Sequence, residues 1–103
     1  MLRCLIGCFV CCVLLLPSHA WAQDRAQIEA GAAVYKDKCA PCHGERLVNP
    51  GSSFDLRKLR ADERPRFDKS VTEGKGQMPA WGGMLSDEEM DQLWAYIRSK
   101  ADN

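Results

Sequence analysis

The sequence predicts an all-α fold of three to four short helices, and three observations carry that prediction. Apolar residues repeat at helical spacing in three stretches of the 103-residue chain: 26–38, 62–73 and the segment from Ser86 to Lys100. Segments 44–53 and 74–85 read as loops between them, the second opening on Gly74. No segment alternates apolar and polar residues as a half-buried strand does, and neither a repeat nor a low-complexity tract is present.

The first 22 residues stand apart from this pattern. They hold 17 of the 47 apolar residues and four of the six cysteines, with no acid and one base, Arg3. A short basic start is followed by an apolar run from Cys4 to Leu16, a break at Pro17-Ser18, and small-x-small at Ala20-Trp21-Ala22. This is the layout of a secretory signal peptide. Its 13-residue apolar run reaches about 20 Å as a helix, short of the ~30 Å of a membrane's hydrocarbon layer. Cys8 in Leu5-Ile6-Gly7-Cys8 could suit lipid attachment, but almost no apolar run precedes it. The expectation is a cleaved signal over 1–22 and one mature domain over 23–103. Cys4, Cys8, Cys11, Cys12 and His19 then leave with the signal, and the domain works outside the cytoplasm without stable membrane insertion.

In the domain, 26–38 forms the first helix, with Ile28, Gly31, Ala32 and Tyr35 at helical spacing. Gly31 costs a helix about 1 kcal/mol relative to alanine, so a close crossing with another helix is expected there. Phe54–Leu59 reads as a short turn or helix. The middle helix runs over 62–73, with Asp62 as cap, Pro65 in the first turn, Phe67 and Val71 on one face, and Gly74 as its end. The last helix opens on Ser86-Asp87-Glu88-Glu89, a capping box. Acids fill its first turn and Arg98 and Lys100 its last, as the helix dipole favours. Met90, Leu93, Trp94 and Ile97 share an apolar face, with Tyr96 beside it, and all read as core.

Composition narrows function by exclusion. Residues 23–103 carry a net charge of −1 and only 12 Leu, Ile, Val and Phe, too few for an ordinary core. A large enzyme, a polytopic membrane protein and a strongly basic nucleic-acid binder are excluded. The basic stretch of Arg57, Lys58, Arg60, Arg64, Arg66 and Lys69 is interleaved with four acids and reads as a solvated face. The sharper alternative puts Arg57 or Arg60 on an acidic group of a cofactor.

That cofactor is indicated by Cys39-Ala40-Pro41-Cys42-His43. C-x-x-C-H is the attachment motif of a c-type haem. One helical turn presents both thiols to the two vinyl groups of a porphyrin, and the next residue turns its imidazole to the iron. A thioredoxin-like redox pair needs a long helix after the motif, whereas a loop follows. A zinc site finds no other Cys or His in the mature chain to complete four ligands. A disulfide across two residues closes too small a loop to stabilise much. For the sixth iron position the choices are Met78, Met84, Met90 and lysines. Met90 reads as core, whereas Pro79 holds Met78 extended in a fixed loop, as a thioether ligand requires. Iron held by His43 and Met78 has no open position, so it moves one electron and makes no bonds; methionine favours the reduced state. An alternative is a haem enzyme or gas sensor with an open iron site; a thiol–disulfide oxidoreductase is the third reading.

These features resemble class I cytochromes c across about residues 26–100: Gly31 with Tyr35, Cys39-Ala40-Pro41-Cys42-His43, Met78-Pro79, and Leu93 with Tyr96. The resemblance implies an all-α cytochrome c-like fold wrapped around one haem, with first and last helices crossing at Gly31, Tyr35, Leu93 and Tyr96. It implies thioethers at Cys39 and Cys42 and axial ligands at His43 and Met78; with a haem in place, the acidic group that Arg57 or Arg60 would meet in the sharper alternative is a propionate. In the family a proline carbonyl often accepts from the ring N–H of the ligating histidine, and Pro50 is the candidate. The stretch from His43 to Met78 is short for the family, which implies trimmed loops and a more exposed haem edge. Met78-Pro79-Ala80-Trp81-Gly82 and Leu85-Ser86 look like the small periplasmic cytochromes that serve quinoprotein alcohol dehydrogenases. The expected function is a periplasmic one-electron carrier between a dehydrogenase and an oxidase or reductase. Docking of the small-redox-encounter type is expected, with weak dependence on ionic strength.

The shortage of apolar residues yields a prediction. Small domains need a staple, and here the covalent porphyrin would be both staple and core. Replacing Cys39 and Cys42 by alanine should leave residues 23–103 without a cooperative thermal transition by circular dichroism. A cooperative transition in that haem-free variant would refute it.

Overall fold

A computed structural model describes residues 18–101. The apolar run of the expected signal peptide lies outside the described residues. Among the described residues there are four α-helices: α1 over Ser18–Lys38, α2 over Ala40–His43, α3 over Arg64–Glu73 and α4 over Asp87–Ser99. Short 3₁₀ turns at Glu45–Leu47, Leu56–Lys58 and Ala61–Glu63 link α2 to α3. Among the described residues there is no strand, only isolated bridges at Lys75–Met78 and Gly82–Leu85. The all-α prediction holds. No helix among the described residues is long and apolar enough to cross a membrane.

Helix α1 begins earlier than the periodicity predicts. The added residues carry no apolar stripe, but Ala, Gln and Arg are strong helix formers, and no proline or glycine interrupts them before Gly31. The helix therefore runs across the expected Ala22–Gln23 junction.

The crossing of α1 on α4 organises the core. A methyl group on Gly31 would lie 1.9 Å from the Gln92 carbonyl oxygen and 2.9 Å from the Tyr96 Cβ. Only a residue without Cβ lets the two backbones meet there. One turn on, Tyr35 faces Tyr96, with ring centroids 5.3 Å apart in a tilted arrangement. Leu93 and Ile97 are fully buried beside them, with Met90 at the edge. The predicted apolar face is confirmed with one exchange. Tyr96 is buried against α1, whereas Trp94 is half-buried and its ring meets Phe67 of α3 in a tilted contact, centroids 5.2 Å apart.

Helix α4 starts as predicted. The Glu89 amide donates to Ser86 Oγ at 3.0 Å, and the Ser86 amide donates to Glu89 Oε1 at 3.1 Å. Helix α3 starts differently. Its N-cap is Glu63, without a side-chain hydrogen bond, because a 3₁₀ turn precedes it and the Asp62 carboxylate pairs with Arg60 at 3.3 Å. Phe67 and Val71 are buried on one face, and the Gly74 amide closes the helix on the Ser70 carbonyl at 2.9 Å. The Arg64 guanidinium bridges Asp68 at 2.7 Å and Asp91 of α4 at 2.8 Å. Arg98 donates to the Leu59 carbonyl and ties the intervening segment to α4.

Two measurements test this core. Gly31→Ala must push α1 off α4 and should cost about 3 kcal/mol by denaturant unfolding; a loss under about 0.5 kcal/mol would show that the crossing is not tight. Burial pushes the Tyr35 phenol from 10.0 up to about 12, so the folded core favours the neutral form. Its stabilisation is intact below pH 10.0 and is lost as pH rises through about 12. Tyr35→Phe should therefore lose less stability than the native chain between those two values; an identical pH slope would refute it.

Candidate haem site

The C-x-x-C-H motif sits where α1 ends. The Cys39 amide still donates to the Tyr35 carbonyl at 2.9 Å, so the helical path continues to the first cysteine. Cys39 then caps α2, whose single turn carries Pro41, Cys42 and His43. The His43 amide donates to the Cys39 carbonyl at 2.9 Å. The predicted single turn holding both thiols and the imidazole is therefore present. Both thiols are free; Cys39 is buried and Cys42 exposed.

The chain leaves this turn through Gly44, whose φ of 88° is in the range that favours glycine. A Cβ there would meet the Val48 carbonyl oxygen at 1.9 Å. The Tyr35 hydroxyl donates to the Gly44 carbonyl at 2.6 Å, linking the helix crossing to the exit of the motif. Arg46 and Leu47 follow with positive φ, 53° and 66°, a strained path that brings Leu47 into the core.

His43 is fixed by its ring. Nδ1 lies 3.1 Å from the Phe54 carbonyl oxygen, the geometry of an Nδ1–H donor. That leaves Nε2 as the lone-pair nitrogen, available to a metal. The acceptor is therefore Phe54, not Pro50. The segment is drawn up by Ser53, whose hydroxyl donates to the Cys42 carbonyl at 3.1 Å, and by the Asn49 amide, which donates to the Ser53 carbonyl at 3.0 Å. Those bonds place the residue after Ser53 beside the imidazole. Arg66 of α3 lies over the Phe54 ring at 4.8 Å. Sequence reasoning missed Phe54 because a backbone carbonyl leaves no mark in residue type. The serine and asparagine before it were the available signal.

The methionines separate cleanly. Met90 is core and Met84 is 63% exposed. Met78 is half-buried against the hydrophobic cluster that contains Cys39. Its backbone is held on both sides: the Met78 amide donates to the Lys75 carbonyl at 2.9 Å, and the Lys75 amide donates back at 3.1 Å. The loop is then pinned to the end of α3, where the Trp81 amide donates to the Val71 carbonyl at 2.7 Å and the Gly82 amide to Thr72 at 3.1 Å.

The arginines of the basic stretch pair with acids. Arg57 makes two side-chain bonds to Asp55, at 3.1 and 3.0 Å, which hold that carboxyl below its usual range. Arg60 lies 3.3 Å from both Asp62 and Glu63, and Arg66 lies 3.4 Å from Glu63.

The donor chemistry sorts the readings of the motif. A redox-active C-x-x-C needs an acidified thiol. Burial instead pushes the Cys39 thiol from 9.0 up to about 11. No cluster of three or more His, Cys, Asp or Glu able to hold a metal ion occurs among the described residues, so zinc lacks a ligand set. Two free thiols and an imidazole with its outer nitrogen occupied fit a covalently attached haem.

Known proteins agree. Residues 26–97 match the family described as cytochrome c oxidase, cbb3-type, subunit III. The chain is 35% identical to cytochrome c6 of Rippkaea orientalis, over 91% of this chain and 86% of that protein. It is 37% identical to cytochrome c6 of Aphanizomenon flos-aquae, over 76% of this chain and 95% of that protein. It is also 34% identical to the quinohemoprotein alcohol dehydrogenase ADH-IIG of Pseudomonas putida, over 80% of this chain but 12% of that protein. Matches of this extent, on a helical fold with this motif at the end of its first helix, settle the family: the chain belongs to the class I mono-haem cytochromes c, electron carriers rather than enzymes, with haem c covalently bound.

Proposed function

We propose that Cys39 and Cys42 hold the haem through two thioethers and that His43 and Met78 are the axial ligands of its iron. The observation that carries this reading is the His43 imidazole, engaged at Nδ1 by the Phe54 carbonyl at 3.1 Å, on the same turn as two free thiols. A carbonyl acceptor on the outer nitrogen fixes the tautomer and the orientation of the ring. Met78 is supported by its half-buried position and by the two backbone bonds to Lys75 that hold it. Pro79 keeps the loop from continuing into a helix. When bound, the haem supplies an iron that cycles between two oxidation states. His43 and Met78 would hold it in both, leaving no position open for bond chemistry.

In this reading residues 1–22 are an export signal and 23–103 the carrier domain, acting in the periplasm. The electron donor is a dehydrogenase and the acceptor an oxidase or reductase. A quinoprotein alcohol dehydrogenase is the proposed donor. Its support is the likeness of this chain to a small part of a quinohemoprotein dehydrogenase of that chemistry. The Met78-Pro79-Ala80-Trp81-Gly82 loop adds to it.

The ligand set is tested by spectroscopy on the purified, haem-loaded protein. Met78→Ala should abolish the sulfur-to-iron charge-transfer band and admit carbon monoxide at neutral pH. Met84→Ala should retain the band, and neither it nor the native protein should bind carbon monoxide. The reverse pattern of the two variants refutes the assignment, and ready binding by the native protein favours the open-site haem enzyme or sensor.

A further inference from the structure

Besides apolar packing, the loop carrying Met78 meets the helix leading to His43 through a cation over an aromatic ring. Lys38 ends α1, immediately before Cys39, and its Nζ lies over the Trp81 ring, 5.2 Å from the centroid. Trp81 follows Met78 by one turn of loop, is half-buried, and packs on the core through its ring. Its backbone is held by the amide's bond to the Val71 carbonyl at 2.7 Å, and its side chain by packing on the core. The Lys38 side chain is 25% exposed and carries one ion pair, to Asp37 at 3.3 Å. Among the described residues, no hydrogen bond or ion pair joins the 74–85 loop to α1 or α2. Packing and this cation over an indole face are what connect them.

We propose that Lys38 and Trp81 form a clasp that holds the Met78 loop against α1, and that the clasp sets how readily Met78 is displaced. The inference rests on Met78 being the sixth ligand. A lysine ammonium is attracted to the negative face of an indole, the most favourable of the aromatic rings for this contact. The lysine stem covers apolar ring surface at the same time. An outside ligand reaches the sixth position only when the loop opens. Its apparent affinity therefore scales with the open fraction. Lys38 and Trp81 are positioning residues in this scheme: they touch each other and act through the loop.

The test is an imidazole titration of the oxidised, haem-loaded protein, followed by loss of the sulfur-to-iron charge-transfer band. Lys38→Met keeps the stem and removes the charge, and should tighten apparent imidazole binding about two- to fivefold. Lys38→Arg keeps a cation and should bind imidazole like the native protein. Trp81→Phe offers a weaker ring and should fall between the native protein and Lys38→Met. Melting temperatures of the same samples separate general destabilisation from loop opening. The proposal is overturned if Lys38→Met leaves imidazole affinity unchanged, if Lys38→Arg is as loose as Lys38→Met, or if Lys38→Met weakens imidazole binding. Should Trp81→Phe fail to fold, the two lysine variants decide alone. Failure of the Met78 assignment is separately visible, because the native protein would then lack the band, or Met78→Ala would keep it.

Discussion

The rest of the molecule hangs on the place where α1 touches α4 backbone to backbone. The missing side chain of Gly31 lets the Gln92 carbonyl approach to a distance no other residue would allow. Once the two helices are that close, the next turn of α1 has little freedom. Tyr35 must lie on Tyr96, and its hydroxyl is carried to the Gly44 carbonyl. The same helix then delivers Cys39, Cys42 and His43 at a fixed distance and angle from α4. Residues far apart in the sequence are thus referred to one rigid pair of helices, a precondition for a carrier whose ligands should not move between oxidation states.

The methionine side is built from the other direction. Helix α3 is tied to α4 by Arg64 through Asp68 and Asp91 and by the Phe67–Trp94 contact. The carbonyls of Val71 and Thr72, at the end of α3, receive the amides of Trp81 and Gly82. A few residues later the capping box starts α4 again. The 74–85 loop is therefore strung between two helices that already contact each other, which fixes Met78 without giving its loop regular structure. Its freedom is confined to the short span between its two anchors.

Legibility followed the range and the kind of interaction. The capping box, the motif turn and the end of α3 at Gly74 depend on residue types a few positions apart, and each is where the sequence puts it; the Gly31 crossing is long-range, and was legible because a glycine inside a helix has no local use. Tyr96 and Trp94 exchange burial because their order depends on whether α1 or α3 covers that side of α4, a matter of tertiary packing. Asp62 fails as a cap for a local reason: Arg60 takes its carboxylate before the helix begins. The Phe54 carbonyl left only an indirect trace, the Asn49 and Ser53 side chains before it, since any residue offers a carbonyl and the fold decides which is delivered to His43. Lys38 and Trp81 are each unremarkable in sequence and meet only across the assembled fold.

The thin core gives covalent attachment its physical sense. Of the 12 Leu, Ile, Val and Phe in residues 23–103, six are buried: Leu47, Leu59, Phe67, Val71, Leu93 and Ile97. Val48 and Phe54 are exposed. A domain with so little apolar surface to bury has a small margin of stability, and it opens locally often. A cofactor held by burial alone would be lost in such openings. Two thioethers at the junction of α1 and α2, in the proposed attachment, leave the haem within reach of its pocket at high effective concentration after every opening. The bond thus lets a short chain use the porphyrin as part of its own core. In the proposed ligation it would also free His43 and Met78 from retaining the group, so that their geometry could serve the iron.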